Sequence, residues 1–271
     1  MNDEALKTFL KTAVSAVRLA GDIILKNLGH LSAGDIETKQ AFDFVTKVDR
    51  WSESVIMQTI RGKFPSHVFL AEETLHREGN GNYRWIIDPL DGTTNYIHSY
   101  PMFSVSIALE YKGEMVVGVV FDPLKDELFH AVKGCGTFLN NNRIQASDIS
   151  MPDRSLIATG FPFRKKEMLD LYIEAFKRIF YRVSDIRRAG SAALDLAYIA
   201  AGRCDGFFEL NLSPWDVAAG GLLIKEAGGI ITDFGGGEGY LSSGNIVAGN
   251  KYVHSEILKI IKKVFKGVID N

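Results

Sequence analysis

Between residues 67 and 145 the chain is written almost entirely in short runs of β-branched and aromatic residues. That stretch constrains the fold more than any other. Segments 67–71, 83–87, 103–111, 114–121 and 127–132 have strand length and strand composition. Lys112-Gly113 joins two of them as a hairpin turn, and Asn140-Asn141-Asn142 joins 137–139 to 143–145. Strands this closely spaced pair with their sequence neighbours, so the first half is expected to hold a largely antiparallel sheet.

After Ser147-Asp148 the pattern changes. Strands at 156–158, 205–210, 230–234 and 246–248, with a short extended segment at 184–187, alternate with helices at 165–181, 191–201, 215–227 and 252–265. Gly202 and Gly228-Gly229 end two of those helices. Alternation of this kind predicts a mixed, helix-covered sheet. Two amphipathic helices precede everything else. The first carries Leu6, Phe9, Leu10, Ala13, Val14, Val17 and Ile24 on one stripe, with Asn2 or Asp3 as its cap. The second, at 48–63, carries Val48, Val55, Ile56 and Ile60 and is stopped by Pro65. The expectation is a mixed α/β (α+β) protein of two tightly packed halves, residues 1–148 and 149–271, with neither a linker nor a repeat between them.

Several function classes lose support at once. A formal net charge of -2 gives no bulk attraction to DNA or to an anionic membrane. No apolar run reaches the ~20 residues of a membrane span. Cys135 and Cys204 form no CxxC, and the histidines form no ligand pair, so zinc and iron–sulfur sites are not expected. Two isolated thiols and an N-terminal helix unlike a secretory signal fit a cytoplasmic protein. Gly134-Cys135-Gly136 and the glycines of 235–239 contain GxG fragments, but neither opens a helix at dinucleotide-binding spacing.

The chemistry lies in acidic residues. Trp85-Ile86-Ile87-Asp88-Pro89-Leu90-Asp91-Gly92-Thr93-Thr94-Asn95 runs an apolar strand into two carboxylates three residues apart. Pro89 fixes its own φ, and Gly92 lets the chain bend where a side chain would clash. Such a turn can aim Asp88, the Leu90 carbonyl and Asp91 at one point. It reads equally as an Asp-Pro turn followed by an Asp-Gly turn. Glu72-Glu73 ends the preceding strand, where a solvated pair is the plain alternative. Thr46 is most economically a helix N-cap, and Asp216, in Pro214-Trp215-Asp216, could simply complement a helix dipole.

Taken together, Asp88-Pro89-Leu90-Asp91-Gly92-Thr93-Thr94-Asn95 and Trp215-Asp216-Val217-Ala218-Ala219-Gly220, followed by Glu226-Ala227-Gly228-Gly229, resemble the inositol monophosphatase family of magnesium-dependent, lithium-sensitive phosphatases. Asp43-Phe44-Val45-Thr46, Glu72-Glu73 and Gly190-Ser191-Ala192-Ala193 support the likeness, and the 187–195 wording is similar to its bacterial branch. The resemblance implies a layered α-β-α-β-α sandwich of the sugar-phosphatase type with the site between the halves. It makes Glu72, Asp88, Asp91, Asp216 and the Leu90 carbonyl metal ligands for two or three Mg²⁺. Mn²⁺ is a possible substitute, and Ca²⁺ and Li⁺ are inhibitory. Glu72 and a hydrogen-bonded Asp43–Thr93 pair stand near the attacking water, and the Gly92 and Thr93 amides hold phosphate. Asp91, Gly190, Ser191, Ala192, Glu209 and Asp216 line the polyol pocket. The chain departs from the family at Lys39-Gln40-Ala41-Phe42 and in a short connection between Glu73 and Trp85.

The implied reaction is hydrolysis of myo-inositol 1-phosphate. Fructose-1,6-bisphosphatase activity, alone or dual, is the alternative. A homodimer is implied. Some bacterial relatives also act in transcription complexes, and Arg182, Arg187 and Arg188 form a modest basic cluster that would suit such a partner or a solvated face. A metal site of hard oxygen donors fits the chemistry. Phosphate monoester hydrolysis needs accelerations of up to ~10²¹, or ~28 kcal/mol, whereas one general acid or base supplies only ~10²–10⁴.

Overall fold

The computed structural model describes residues 2–40, 43–74 and 81–268. Ala41 and Phe42, and most of the short connection after Glu73, lie outside the described residues. The first helix, α1 (Asp3–Asn27), is capped by Asn2, whose side chain accepts from the Ala5 amide at 2.9 Å. A two-stranded hairpin follows, β1 (Ile36–Gln40) with β2 (Asp43–Thr46). Its mixed Thr, Lys and Glu residues lack strand alternation, which is why the sequence pattern does not reveal it. Helix α2 (Lys47–Arg61) is entered through a reciprocal capping box between Thr46 and Asp49.

The hairpin-rich region folds as read. Strands β3 (Val68–Ala71) and β4 (Tyr83–Asp91) pair in parallel. The five strands β5 (Ser104–Tyr111), β6 (Glu114–Asp122), β7 (Glu127–Val132), β8 (Gly136–Leu139) and β9 (Asn142–Ile144) then extend the sheet antiparallel, in sequence order. A short helix, α3 (Thr93–Ile97), separates β4 from β5.

The second sheet has the order β11-β10-β12-β14-β13. Strands β10 (Leu156–Thr159), β11 (Asp185–Arg187) and β12 (Gly206–Glu209) run parallel, and β13 (Ile230–Thr232) and β14 (Ile246–Gly249) pair antiparallel to complete it. Its helices are α4 (Leu169–Phe180), α5 (Ala192–Ala200), α6 (Pro214–Glu226), the single turn α7 (Tyr240–Ser243) and α8 (Lys251–Val264). Helix α4 starts later than expected, because a 3₁₀ turn at Lys166–Met168 precedes it.

Five layers result. Helices α1 and α2 cover one face of the seven-stranded sheet, and α5 and α6 lie between the two sheets. Helices α4 and α8 cover the outer face of the second sheet. This is the α-β-α-β-α sandwich. The central layer explains a peculiarity of composition. Residues 216–224 of α6 are buried all round, so that helix needs no polar face. Close approach there requires glycine: a Cβ on Gly118 of β6 would meet the Ala219 carbonyl at 2.9 Å, and one on Gly220 would meet Leu196 at 2.5 Å. Among the described residues no helix is long and apolar enough to cross a membrane.

Candidate active site

The end of β4 builds the floor of the site. Asp88 closes an Asx turn by accepting the Leu90 amide at 3.0 Å. Asp91 is the last residue of the strand. Gly92 then adopts φ +91°, where a Cβ would meet the Met102 carbonyl at 2.9 Å, so only glycine turns the chain here without strain. Helix α3 starts directly afterwards, leaving its first backbone N–H groups without intrahelical acceptors.

The second half closes on this floor through Asp91. Its Oδ2 accepts the Ser191 hydroxyl at 2.5 Å and the Ala193 amide at 2.9 Å, so the start of α5 is fastened to β4. Asn95 adds a second fastening by donating to the carbonyls of Met102 (2.7 Å) and Ala189 (3.0 Å). Asp216 arrives at the third position of α6, where it accepts the Ser213 amide at 2.7 Å in a capping box. Helix capping and convergence on the site are thus both true of this residue.

All the candidate site residues named from the sequence line one cavity of about 390 Å³. Within it, Asp88, Asp91 and Asp216 bring carboxylate oxygens within 4.8 Å of one another, and all three are buried. Burial and the neighbouring carboxylates push Asp88 well above its ordinary range. Burial and the charges of Asp91 and Glu72 push Asp216 up to about 8. Asp91 is pushed only to about 6, because burial is opposed by its bonds from Ser191 and Ala193. Among the described residues no ion pair reaches any of the three. Such a cluster is stabilised by a cation, and its all-oxygen donor set suits a hard divalent ion. Glu72 lines the same cavity, and its charge acts on all three aspartates.

The expected Asp43–Thr93 pair does not form. Thr93 Oγ1 instead faces Asp49 Oδ1 at 2.8 Å and the Leu90 carbonyl at 3.0 Å. Asp43, at the start of β2, is held by Arg164 through two 3.2 Å contacts across the mouth of the cavity. The physical reason is the helical turn. Asp49 lies one turn into α2, and its Oδ2 accepts both the amide (2.9 Å) and the hydroxyl (2.5 Å) of Thr46, which leaves Oδ1 free for Thr93. Burial lifts Asp49 to about 6 despite these bonds. The Thr46-x-x-Asp49 spacing of a capping box was the available signal. Sequence reasoning also passed over Lys39, which bridges Glu72 (3.1 Å) and Glu73 (2.6 Å).

Glu209 ends β12, is 7% exposed, and is raised to about 8 by burial and then by Asp216. Its carboxylate lies against the α-carbon of Gly160, where a Cβ would stand 2.1 Å from Oε1. Gly190, Ser191 and Ala192 form the wall beside it. The basic cluster is divided: Arg187 pairs with Asp185 at 2.5 Å and Arg182 with Glu256 at 3.4 Å, whereas Arg188 lines the cavity.

Comparison with known proteins agrees with this geometry. The chain is 50% identical over 250 residues to the Nus factor SuhB of Escherichia coli K12, covering 92% of this chain and 94% of that protein. The crystal structure of extragenic suppressor protein suhB from Bartonella henselae superposes with a TM-score of 0.92 at 40% identity, covering 94% of this chain and 99% of that one. An inositol monophosphatase from Anabaena gives 0.86 at 40% identity, covering 96% and 97%. The model of the inositol monophosphatase family matches residues 5–266. Motifs, layer order and the buried aspartate cluster therefore agree, and the chain belongs to the inositol monophosphatase family.

Proposed function

We propose that the chain is a Mg²⁺-dependent phosphomonoesterase that hydrolyses a phosphorylated polyol, with myo-inositol 1-phosphate as its leading substrate. The observation that carries this reading is the convergence of Asp88, Asp91 and Asp216, all buried and, among the described residues, without an ion-paired cation, beside the turn at Gly92. Those three, with Glu72 and the Leu90 carbonyl, would hold two or three ions. Bound Mg²⁺ supplies positive charge against the phosphoryl oxygens and acidifies water; Mn²⁺ is expected to substitute, and Ca²⁺ and Li⁺ to inhibit.

The chain's own groups supply the rest. Thr93 donates its hydroxyl hydrogen toward Asp49 and keeps lone pairs free to orient an attacking water. Asp49, near 6, is suited to take a proton through that hydroxyl. The Gly92 and Thr93 amides receive phosphoryl oxygens at the start of α3. Glu209, Gly190, Ser191 and Ala192 hold the polyol. Water attacks directly, and no phosphoenzyme forms. A homodimer and a cytoplasmic location belong to the same reading.

Phosphate release from myo-inositol 1-phosphate, fructose 1,6-bisphosphate, histidinol phosphate and a nucleotide 3′-phosphate, with Mg²⁺ and with EDTA, tests it. The expected result is the highest kcat/KM for the inositol ester and none in EDTA. Preference for the bisphosphate would move the substrate assignment, and no release from any ester would overturn the reading. A second role is favoured by the name Nus factor SuhB carried by close relatives: partnership with transcription machinery through the outer surface. Capture of RNA polymerase that persists in an Asp91→Asn variant would separate that role from catalysis.

A further inference from the structure

One buried acid in the cavity has no part in the reading above. Asp195 sits one turn into α5, is 3% exposed, and lines the cavity. Among the described residues its carboxylate accepts no hydrogen bond and forms no ion pair, although its own backbone amide bonds normally to the Ser191 carbonyl at 3.0 Å. Glu209 is likewise buried and lines the cavity, and among the described residues it has no hydrogen-bonded partner. Burial together with the charges of Glu209 and Asp91 raises Asp195 well above its ordinary range, and the charge of Arg188, which lines the same cavity, acts on both carboxylates in the opposite sense.

Burying a carboxylate without a donor is expensive, and burying two in the lining of one cavity is more so. The structure keeps space for them. Glycine at 160 is what allows the Glu209 carboxylate to lie where it does. Neither belongs to the set of aspartates whose oxygens converge for a cation. The missing partners are therefore hydrogen-bond donors on an uncharged ligand. A second phosphate would bring negative charge toward both carboxylates, whereas ring hydroxyls bring donors.

We infer that Asp195 is a specificity residue, accepting one substrate hydroxyl while Glu209 accepts a neighbouring one, so that this end of the cavity selects a neutral polyol with two adjacent free hydroxyls. The inference deepens the phosphatase reading and rests on its placement of the substrate.

The test uses the full chain and two substitutions. Asp195→Leu keeps the branched shape, with somewhat more bulk, but removes the acceptors; the isosteric Asp195→Asn keeps one acceptor oxygen. With Mg²⁺, Asp195→Leu should raise KM for myo-inositol 1-phosphate tenfold or more while kcat changes little. For phenyl phosphate, which has no hydroxyl to offer, its kinetics should stay within twofold of wild type. Asp195→Asn should recover much of the loss. Saturation-transfer NMR with free myo-inositol reads binding without turnover and should show the same order. Equal losses on both esters, or unchanged inositol binding in Asp195→Leu, would overturn the inference. A wild-type protein that binds myo-inositol through Asp195 yet hydrolyses no ester would instead refute the phosphatase reading and leave this inference standing.

Discussion

Replacing Asp91 by Asn should stabilise the protein without divalent metal and destabilise it, relative to wild type, when metal is present. In the metal-free chain Asp91 shares a buried cluster with Asp88 and Asp216. Its carboxyl is held at about 6 against an ordinary 3.8. Two decades at ~1.36 kcal/mol each put the cost of the ionised form near 3 kcal/mol at neutral pH, an upper figure for what Asn relieves. Asn can keep its oxygen toward Ser191 and Ala193, so the fastening of α5 survives. A net gain of about 1–3 kcal/mol in EDTA follows, or roughly 2–10 °C in Tm for a chain of this size. Metal reverses the order: wild type gains about 2.7 kcal/mol at a hundred times Kd, a gain the variant largely loses. Calorimetry in EDTA and in Mg²⁺, with phosphatase assays alongside, reads both signs. Destabilisation by Asp91→Asn in EDTA, or an unchanged wild-type Tm on adding Mg²⁺ or Mn²⁺, would refute the argument.

Other outcomes follow from single contacts. Asp49→Asn should lower kcat by ~10²–10⁴ with little change in KM, whereas Asp43→Asn, which breaks only the Arg164 pair, should stay within about tenfold; steady-state kinetics on both variants decides which acid serves Thr93. His254 is buried against Thr232 at 2.9 Å, and burial lowers it to about 4. The unfolded chain then takes up this proton first, so stability falls as pH drops from about 6.5 to 4, by about 2–3 kcal/mol, and is unaffected above that window. His254→Gln should flatten that slope in urea denaturation at pH 4.5 and 7; an identical slope would remove the histidine from the account.

Where patterning was regular, the fold was legible. The hairpin strands β5 to β9 are rich in β-branched and aromatic residues and are joined by turn residues, so their antiparallel pairing with sequence neighbours could be anticipated. The aspartates at 88, 91 and 216 stood out because proline, glycine and a helix start fix their spacing. Asp49 was hidden by its capping role, since one carboxylate oxygen explains the Thr46 contact and nothing in the chain announces the use of the other. Lys39 and Arg164 left no signal, because long flexible cations find their carboxylates through space. Asp195 was invisible for a different reason. On an all-buried helix such as α5, a carboxylate looks like a single interruption of an apolar run, and only the absence of a partner marks it out.

The central claim is that Asp88, Asp91 and Asp216 form one cation site between the sheets. An anomalous difference map from crystals grown with Mn²⁺ addresses it directly. A strong peak among those three carboxylates, with the Leu90 carbonyl or Glu72 within coordination distance, is the predicted result. A map with the aspartates in the same place and no peak among them, at Mn²⁺ concentrations that support phosphate release, would contradict it.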